Sequence, residues 1–93
     1  MIRSFRDKAI ESVFRGEPVK GLSAPFKVAR RKLRMVHAAR ELRDLRSPPN
    51  NQLEKLHGDR EGQHSIRIND QYRVCFEWRE GGAYDVEIVD YHH

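Results

Sequence analysis

A chain of 93 residues with 34% charged side chains, a net charge of +4 and a pI near 9.6 describes one small, heavily solvated domain, expected to span residues 1–93. Folding a chain of this size hides only about 60% of the surface it exposes when unfolded. No stretch approaches the ~18 apolar residues of a membrane helix, Met1 to Arg6 lacks the apolar core of a leader peptide, and the single Cys75 can close no internal disulfide. Those features argue against membrane and secreted classes and for the cytoplasm, while the basic excess favours phosphate-bearing or acidic partners without choosing among them.

In chain order, Met1 to Ser4 reads as a short edge strand. Phe5, Ala9, Ile10, Val13 and Phe14 then form the stripe of an amphipathic helix, with Ser4 as its N-cap, Asp7 in its first turn and Gly16 as its stop. Glu17 to Ala24 is a loop, and Pro25 suits the first turn of a second helix. Phe26, Ala29, Leu33 and Val36 make its inward face, and Lys27, Arg30, Arg31 and Arg34 fall opposite as a basic ridge. The ridge is either a solvated face or a contact for nucleic acid. His37 belongs to the last turn, and Ala39 to Arg46 continues as a short third helix through Leu42 and Leu45 until Ser47-Pro48-Pro49 stops it.

The second half changes period. Leu53 to His57 alternates weakly, and Ser65 to Ile68 alternates cleanly with Ile66 and Ile68 inward. After the turn Asn69-Asp70-Gln71, Arg73 to Trp78 places Val74, Phe76 and Trp78 on one face and Arg73, Cys75 and Glu77 on the other. Arg79-Glu80-Gly81-Gly82 is a hairpin turn, and Ala83 to Asp90 is the last strand with Tyr84, Val86 and Ile88 inward. The expected class is therefore α+β: two to three N-terminal helices packed on a four-stranded antiparallel sheet.

In that meander the last strand returns Asp90, Tyr91 and His92 to the end of the sheet where Arg73 begins, and His57 and Arg60 join if the first strand lies alongside. Such a set suits cleavage of an RNA phosphodiester. A base must take the 2′-OH proton, a cation must hold the charge growing on phosphorus, and an acid must protonate the departing 5′-oxygen. Histidine can move a proton at neutral pH, and arginine forks onto phosphate oxygens. Metal ligation has no matching spacing, so none is expected, nor a cofactor. The plainer readings are an exposed terminal His92, a half-buried Tyr91, a turn acid at Asp90, a salt-bridging Arg67 facing Glu77 or Glu87, a surface His64 and a structural Cys75.

The strings Gly58-Asp59-Arg60-Glu61-Gly62, Ser65 to Asn69, Gln71 to Trp78 and Ala83 to His92, in that order and spacing, resemble the HigB-type toxins of bacterial toxin-antitoxin modules, in the RelE/ParE superfamily. The resemblance runs over the whole chain and is densest after residue 52. It implies two or three helices on a four-stranded antiparallel sheet, and a messenger RNA endoribonuclease that works in the A site of the 70S ribosome and leaves a 2′,3′-cyclic phosphate. It also implies a HigA-type helix-turn-helix antitoxin as partner. By the same resemblance, His92, Tyr91, Asp90 and Arg73 are catalytic; the ungapped register puts Glu54 where some members carry a histidine in the preceding strand, so either His57 takes its place through a shortened loop or the site works with fewer groups. Arg60 and Arg67 join Lys27, Arg30, Arg31 and Arg34 as candidate RNA contacts. The competing readings are a gyrase inhibitor like ParE and a non-catalytic basic module that binds RNA.

Overall fold

The computed structural model describes residues 1–91. Helices α1 (Lys8–Arg15) and α2 (Phe26–Ala38) precede four strands, β1 (Glu54–Lys55), β2 (Gln63–Arg67), β3 (Tyr72–Arg79) and β4 (Gly82–Asp90). The strands pair in sequence order as an antiparallel meander. Both helices pack on one face of the sheet, where Val13, Leu33, Val36, Ile66, Val74, Phe76 and Val86 are fully buried. The opposite face, called the open face below, is covered by neither α1 nor α2, and it carries Glu54, Ser65, Arg67, Arg73, Cys75 and Glu87 by strand alternation.

Helix α1 begins later than its apolar stripe suggests. Ile2 and Phe5 bridge in parallel to Ala83 and Val86, so the N-terminal segment covers the free edge of β4 and cannot yet turn helical. Asp7, not Ser4, is the N-cap: its Oδ1 accepts from the Ile10 amide at 3.0 Å, whereas the Ser4 hydroxyl accepts from the Asp85 amide at 2.9 Å. Ala9 is exposed as a result, and the buried stripe narrows to Ile10 and Val13. Gly16 closes the helix in the left-handed region at φ 81°, as its position foretells.

Helix α2 matches its expected span, and Ala29, Leu33 and Val36 are buried as read. One charge joins them. Lys32 is only 3% exposed, and its ammonium donates to the Asn51 side chain. Burial pushes its pKa down, aided by repulsion from Arg31 and Arg67. Asn51 in turn donates to the carbonyls of Leu45 and Ser47, both at 3.2 Å, and so fastens α2 to the loop that leads into the sheet. The expected third helix is a five-residue 3-10 turn, Leu42–Arg46, with Leu45 buried and the Asp44 carboxylate collecting the amides of Arg40 and Glu41.

The β3–β4 hairpin turns on Glu80 and Gly81, whose φ values of 52° and 71° give the mirror-image turn that suits strand twist. Gly82 serves a different end, since a Cβ there would meet Arg3 Cγ at 2.9 Å. Past the turn, a bulge between Cys75 and Glu77 is absorbed by Asp85, at φ 52°. The extra residue moves Ala83 inward and turns Tyr84 outward, against the expected alternation; the Arg79 guanidinium stacks on the Tyr84 ring at 3.6 Å. Val86, beyond the bulge, is buried as expected.

Candidate active site on the open sheet face

Two cross-strand rows organise the open face. Glu54, Ser65, Cys75 and Glu87 stand in one row, and Arg67, Arg73 and Val89 in the next. A pocket of about 400 Å³ opens between them and the chain end, bounded by Gln52, Glu54, Arg67, Asp70, Arg73 and Tyr91.

Arg73 is the fixed point of this pocket. It is 8% exposed; Nε donates to Ser65 Oγ at 2.7 Å, and Nη2 donates to the carbonyl of Gln52 and, at 3.4 Å, to that of Ser65. Gln52 reaches it because its backbone turns left-handed at φ 45° at the end of the Pro49–Asn51 turn. All these acceptors are neutral. Among the described residues no carboxylate lies within ion-pair distance of Arg73, so its charge is held in place and left uncompensated. A buried, oriented guanidinium without a counter-ion is a site for an anion.

Tyr91 closes the pocket from β4's end. Its hydroxyl lies 3.7 Å from Cys75 Sγ, and burial, with the Cys75 contact adding to it, pushes the phenol up to about 12. Burial likewise raises the Cys75 thiol, so both groups keep their protons at neutral pH. Tyr91 is thus a donor rather than a base. Asp90 stands opposite Tyr72 in register, on the other side of the strand from Arg73, and its carboxylate accepts from Gln71 Nε2 at 3.3 Å. The sheet end therefore holds Asp90 and Tyr91 together but on opposite faces. His92 lies outside the described residues.

The other candidates divide. Arg60 comes over the open face from the Gly58–Arg60 turn and donates to Glu87 Oε2 and Gln63 Oε1, both at 3.0 Å; the Glu87 bond raises its pKa. Arg67 pairs with Asp70 rather than with Glu77 or Glu87, which are taken by Arg79 and by Arg60 with Arg6. His57 stands apart. Its chain leaves β1 towards the Gln63 end of β2, while Arg67 and Arg73 pair at the other end, and its imidazole, 77% exposed, has Glu61 as its neighbour at 3.7 Å. His64 is half-buried rather than fully at the surface, since its register with Phe76 turns it to the helix side, where it stacks on that ring at 6.5 Å with Nδ1 buried and unpartnered. Burial lowers its pKa, with Lys55 adding to the shift.

The basic ridge forms a second cationic region, on the helix side of the molecule. Lys27, Arg30, Arg31 and Arg34 border a groove of about 930 Å³ floored by Phe26 and Met35. Arg30 is braced by the Phe14 carbonyl at 3.4 Å and Arg34 lies over the Phe14 ring at 5.9 Å, while Lys27 and Arg31 extend into solvent. Ridge and pocket thus lie on opposite faces.

Sequence reasoning passed over Ser65 and Gln52, and had Glu54 only as the residue that the family register puts at the position of a histidine. The signal for Ser65 was strand parity, usable only once the β1–β2 register was known; nothing local marks the Gln52 carbonyl.

The family described as the RelE-like toxin of the type II toxin-antitoxin system HigB matches residues 3–92. A toxin HigB-1 from Vibrio cholerae is 39% identical over 85 residues, covering 89% of this chain and 90% of its own. An endoribonuclease HigB from Proteus vulgaris is 33% identical over 96 residues, covering 99% of this chain and 100% of its own.

Proposed function

The chain belongs to the RelE-like toxins of HigB type II toxin-antitoxin systems, and from that premise we propose that it is an endoribonuclease that cuts messenger RNA in the ribosomal A site. The observation that carries this reading is Arg73: a guanidinium 8% exposed, oriented by neutral acceptors, on the wall of a pocket with Tyr91 at its rim. The scissile phosphate docks on Arg73, which stabilises the two negative charges of the phosphorane; groups in this role contribute about 10²- to 10³-fold. Tyr91, a neutral phenol, donates to a phosphate oxygen. His92, next in the chain, is a proton-transfer group, and Asp90 helps to orient it. Arg67 and Arg60 hold neighbouring phosphates. The route asks for no metal, because the arginine carries the charge and side chains carry the protons.

A member of a type II toxin-antitoxin family has an antitoxin as partner. A HigA-type helix-turn-helix protein fills that role in this reading, with the 70S ribosome supplying the messenger in a fixed pose. Among the described residues no helix is long and apolar enough to cross a membrane, and the cytoplasm is where ribosomes are met.

The test is 5′-end mapping of a defined messenger with and without programmed 70S ribosomes, using the wild type and His92→Ala. Cuts at the A-site codon that need both ribosomes and His92 are expected. Intact messenger together with inhibited supercoiling by gyrase would replace this reading with inhibition by binding.

A further inference from the structure

We propose that Gln52 is a positioning residue for Arg73, acting through its main-chain carbonyl, and that the buried Asn51 before it holds that carbonyl in place; the effect on cleavage rests on the nuclease reading above. Arg73 has two anchors. Its Nε donates to Ser65 Oγ at 2.7 Å, and its Nη2 donates to the Gln52 carbonyl. Without the second anchor, Nη2 keeps only the Ser65 carbonyl at 3.4 Å, beyond the usual length of an N–H···O bond. One firm anchor lets the guanidinium swing about it. Two fix its plane, and with it the donors left over for a phosphate.

The second anchor depends on a strained backbone. Gln52 sits at φ 45° and ψ 57°, in the left-handed region that residues other than glycine and asparagine enter at a cost. Asn51 is the fixture that keeps it there. Asn51 is 0% exposed; its amide donates to the Pro48 carbonyl at 2.9 Å, and its Nδ2 donates to the carbonyls of Leu45 and Ser47 at 3.2 Å. Its Oδ1 accepts from the ammonium of Lys32, itself buried under α2. The Gln52 amide closes the turn onto the Pro49 carbonyl at 3.1 Å. With Asn51 and the amide of Gln52 tied down, the left-handed turn is what swings the Gln52 carbonyl to the open face.

A cluster on the helix side thereby governs a group on the opposite face. Neither Lys32 nor Asn51 lines the pocket of Arg73; both reach it through the main chain of Gln52. The Gln52 side chain is not the working part. What counts is that residue 52 holds a positive φ, so glycine serves there and a β-branched residue does not.

Gln52→Val, Gln52→Gly and Asn51→Ala test this with two readouts. One is solvent exchange of the Arg73 Nε proton by nitrogen-15 NMR, its signal assigned with Arg73→Lys; the other is single-turnover cleavage of a defined messenger on programmed 70S ribosomes. In Gln52→Val the exchange is expected to quicken by about 10- to 100-fold, the worth of a hydrogen bond to a charged group. Cleavage is expected to slow as well, but by less than the roughly 10²- to 10³-fold set by losing the arginine itself. Gln52→Gly keeps the carbonyl and takes the left-handed φ freely, so both readouts are expected to stay within a few fold of wild type. Asn51→Ala, shown to be folded by circular dichroism, is expected to follow Gln52→Val. Equal losses in the glycine and valine variants would hand the effect to the Gln52 side chain and overturn the proposal, as would wild-type exchange in Gln52→Val. Wild-type exchange in folded Asn51→Ala would overturn the part given to Asn51; if that variant does not fold, Lys32→Met, which strips Asn51 Oδ1 of its donor while filling the space, is read in its place. Wild-type protein that leaves the messenger intact, with the exchange pattern as expected, would sink the nuclease reading and leave the positioning of Arg73 standing.

Discussion

Two cationic regions, on opposite faces, use arginine in different ways. In the pocket of the open face, Arg73 is 8% exposed and its donors are aimed by a serine hydroxyl and two backbone carbonyls. On α2, Lys27, Arg31 and Arg34 stand in solvent above an apolar floor. Both regions attract anions, but only the first has its geometry set before the anion arrives. Ordering of a flexible side chain costs up to about 2 kcal/mol, a cost already met at Arg73 by folding and still outstanding on the ridge. Preorganisation, rather than amount of charge, separates a site for one phosphate from a surface for many.

Arg73 is where this contrast can be erased. Arg73→Ala is expected to lower the single-turnover cleavage rate by about 10²- to 10³-fold, and Arg73→Lys to recover little, because an ammonium cannot hold Ser65 and Gln52 and still present a fixed N–H pair, as Nη1 does, to a phosphate. A lysine variant with near wild-type rate in the same assay would reduce Arg73 to a point charge. Next in size is the brace behind the pocket. Asn51→Ala leaves the Lys32 ammonium and the carbonyls of Leu45 and Ser47 unpaired, and is expected to cost about 2–3 kcal/mol, read by urea unfolding.

Acid provides a smaller and more general perturbation. Burial lowers the pKa of His37, with the N-terminal ammonium and Arg34 adding repulsion, and its Nδ1 accepts from the Ile2 amide at 3.1 Å; burial lowers His64 too. The unfolded chain, with imidazoles near 6.5, therefore binds more protons than the folded one once the pH falls below about 6.5. Stability is expected to fall from there towards pH 5, and melting temperatures at pH 7.5 and 5 measure it. His37→Gln should flatten part of that slope. The smallest effect belongs to the ridge. Lys27→Ala with Arg31→Ala should change stability by under about 0.5 kcal/mol. If the ridge meets ribosomal RNA, the pair should lower the salt slope of ribosome binding by about 0.7–0.9 for each phosphate no longer neutralised. An unchanged slope would free the groove for a protein partner.

Much of this was open to reading from the residues. Alternation through Ile66, Val74, Phe76 and Trp78 marked the sheet, the stripe of Ala29, Leu33 and Val36 marked α2, and Gly16 marked the end of α1. Each is a short-range pattern in which the side-chain period follows directly from backbone geometry. The candidate site was legible in part: Arg73 and Tyr91 do meet the same pocket. His57 does not line it, because proximity along the chain to Gly58-Asp59-Arg60 says nothing about which end of β2 that turn adjoins. Asp90 falls on the other side from Tyr91 for the simplest reason, that neighbours on a strand point opposite ways.

The residues alone thus specified the two helices and the strand meander in their order, the face of α2 that is buried, the family and an arginine that lines the pocket. Folding in three dimensions determined where α1 begins, which way Tyr84 points, that Lys32 is buried and that Glu54 faces Ser65. These four depend on pairings between distant segments: Phe5 with Val86, β3 with β4 across the bulge, Lys32 with Asn51, β1 with β2. A shift of one residue in a strand pairing exchanges the two faces of that strand. Local periodicity is the same in either register, so only packing could choose.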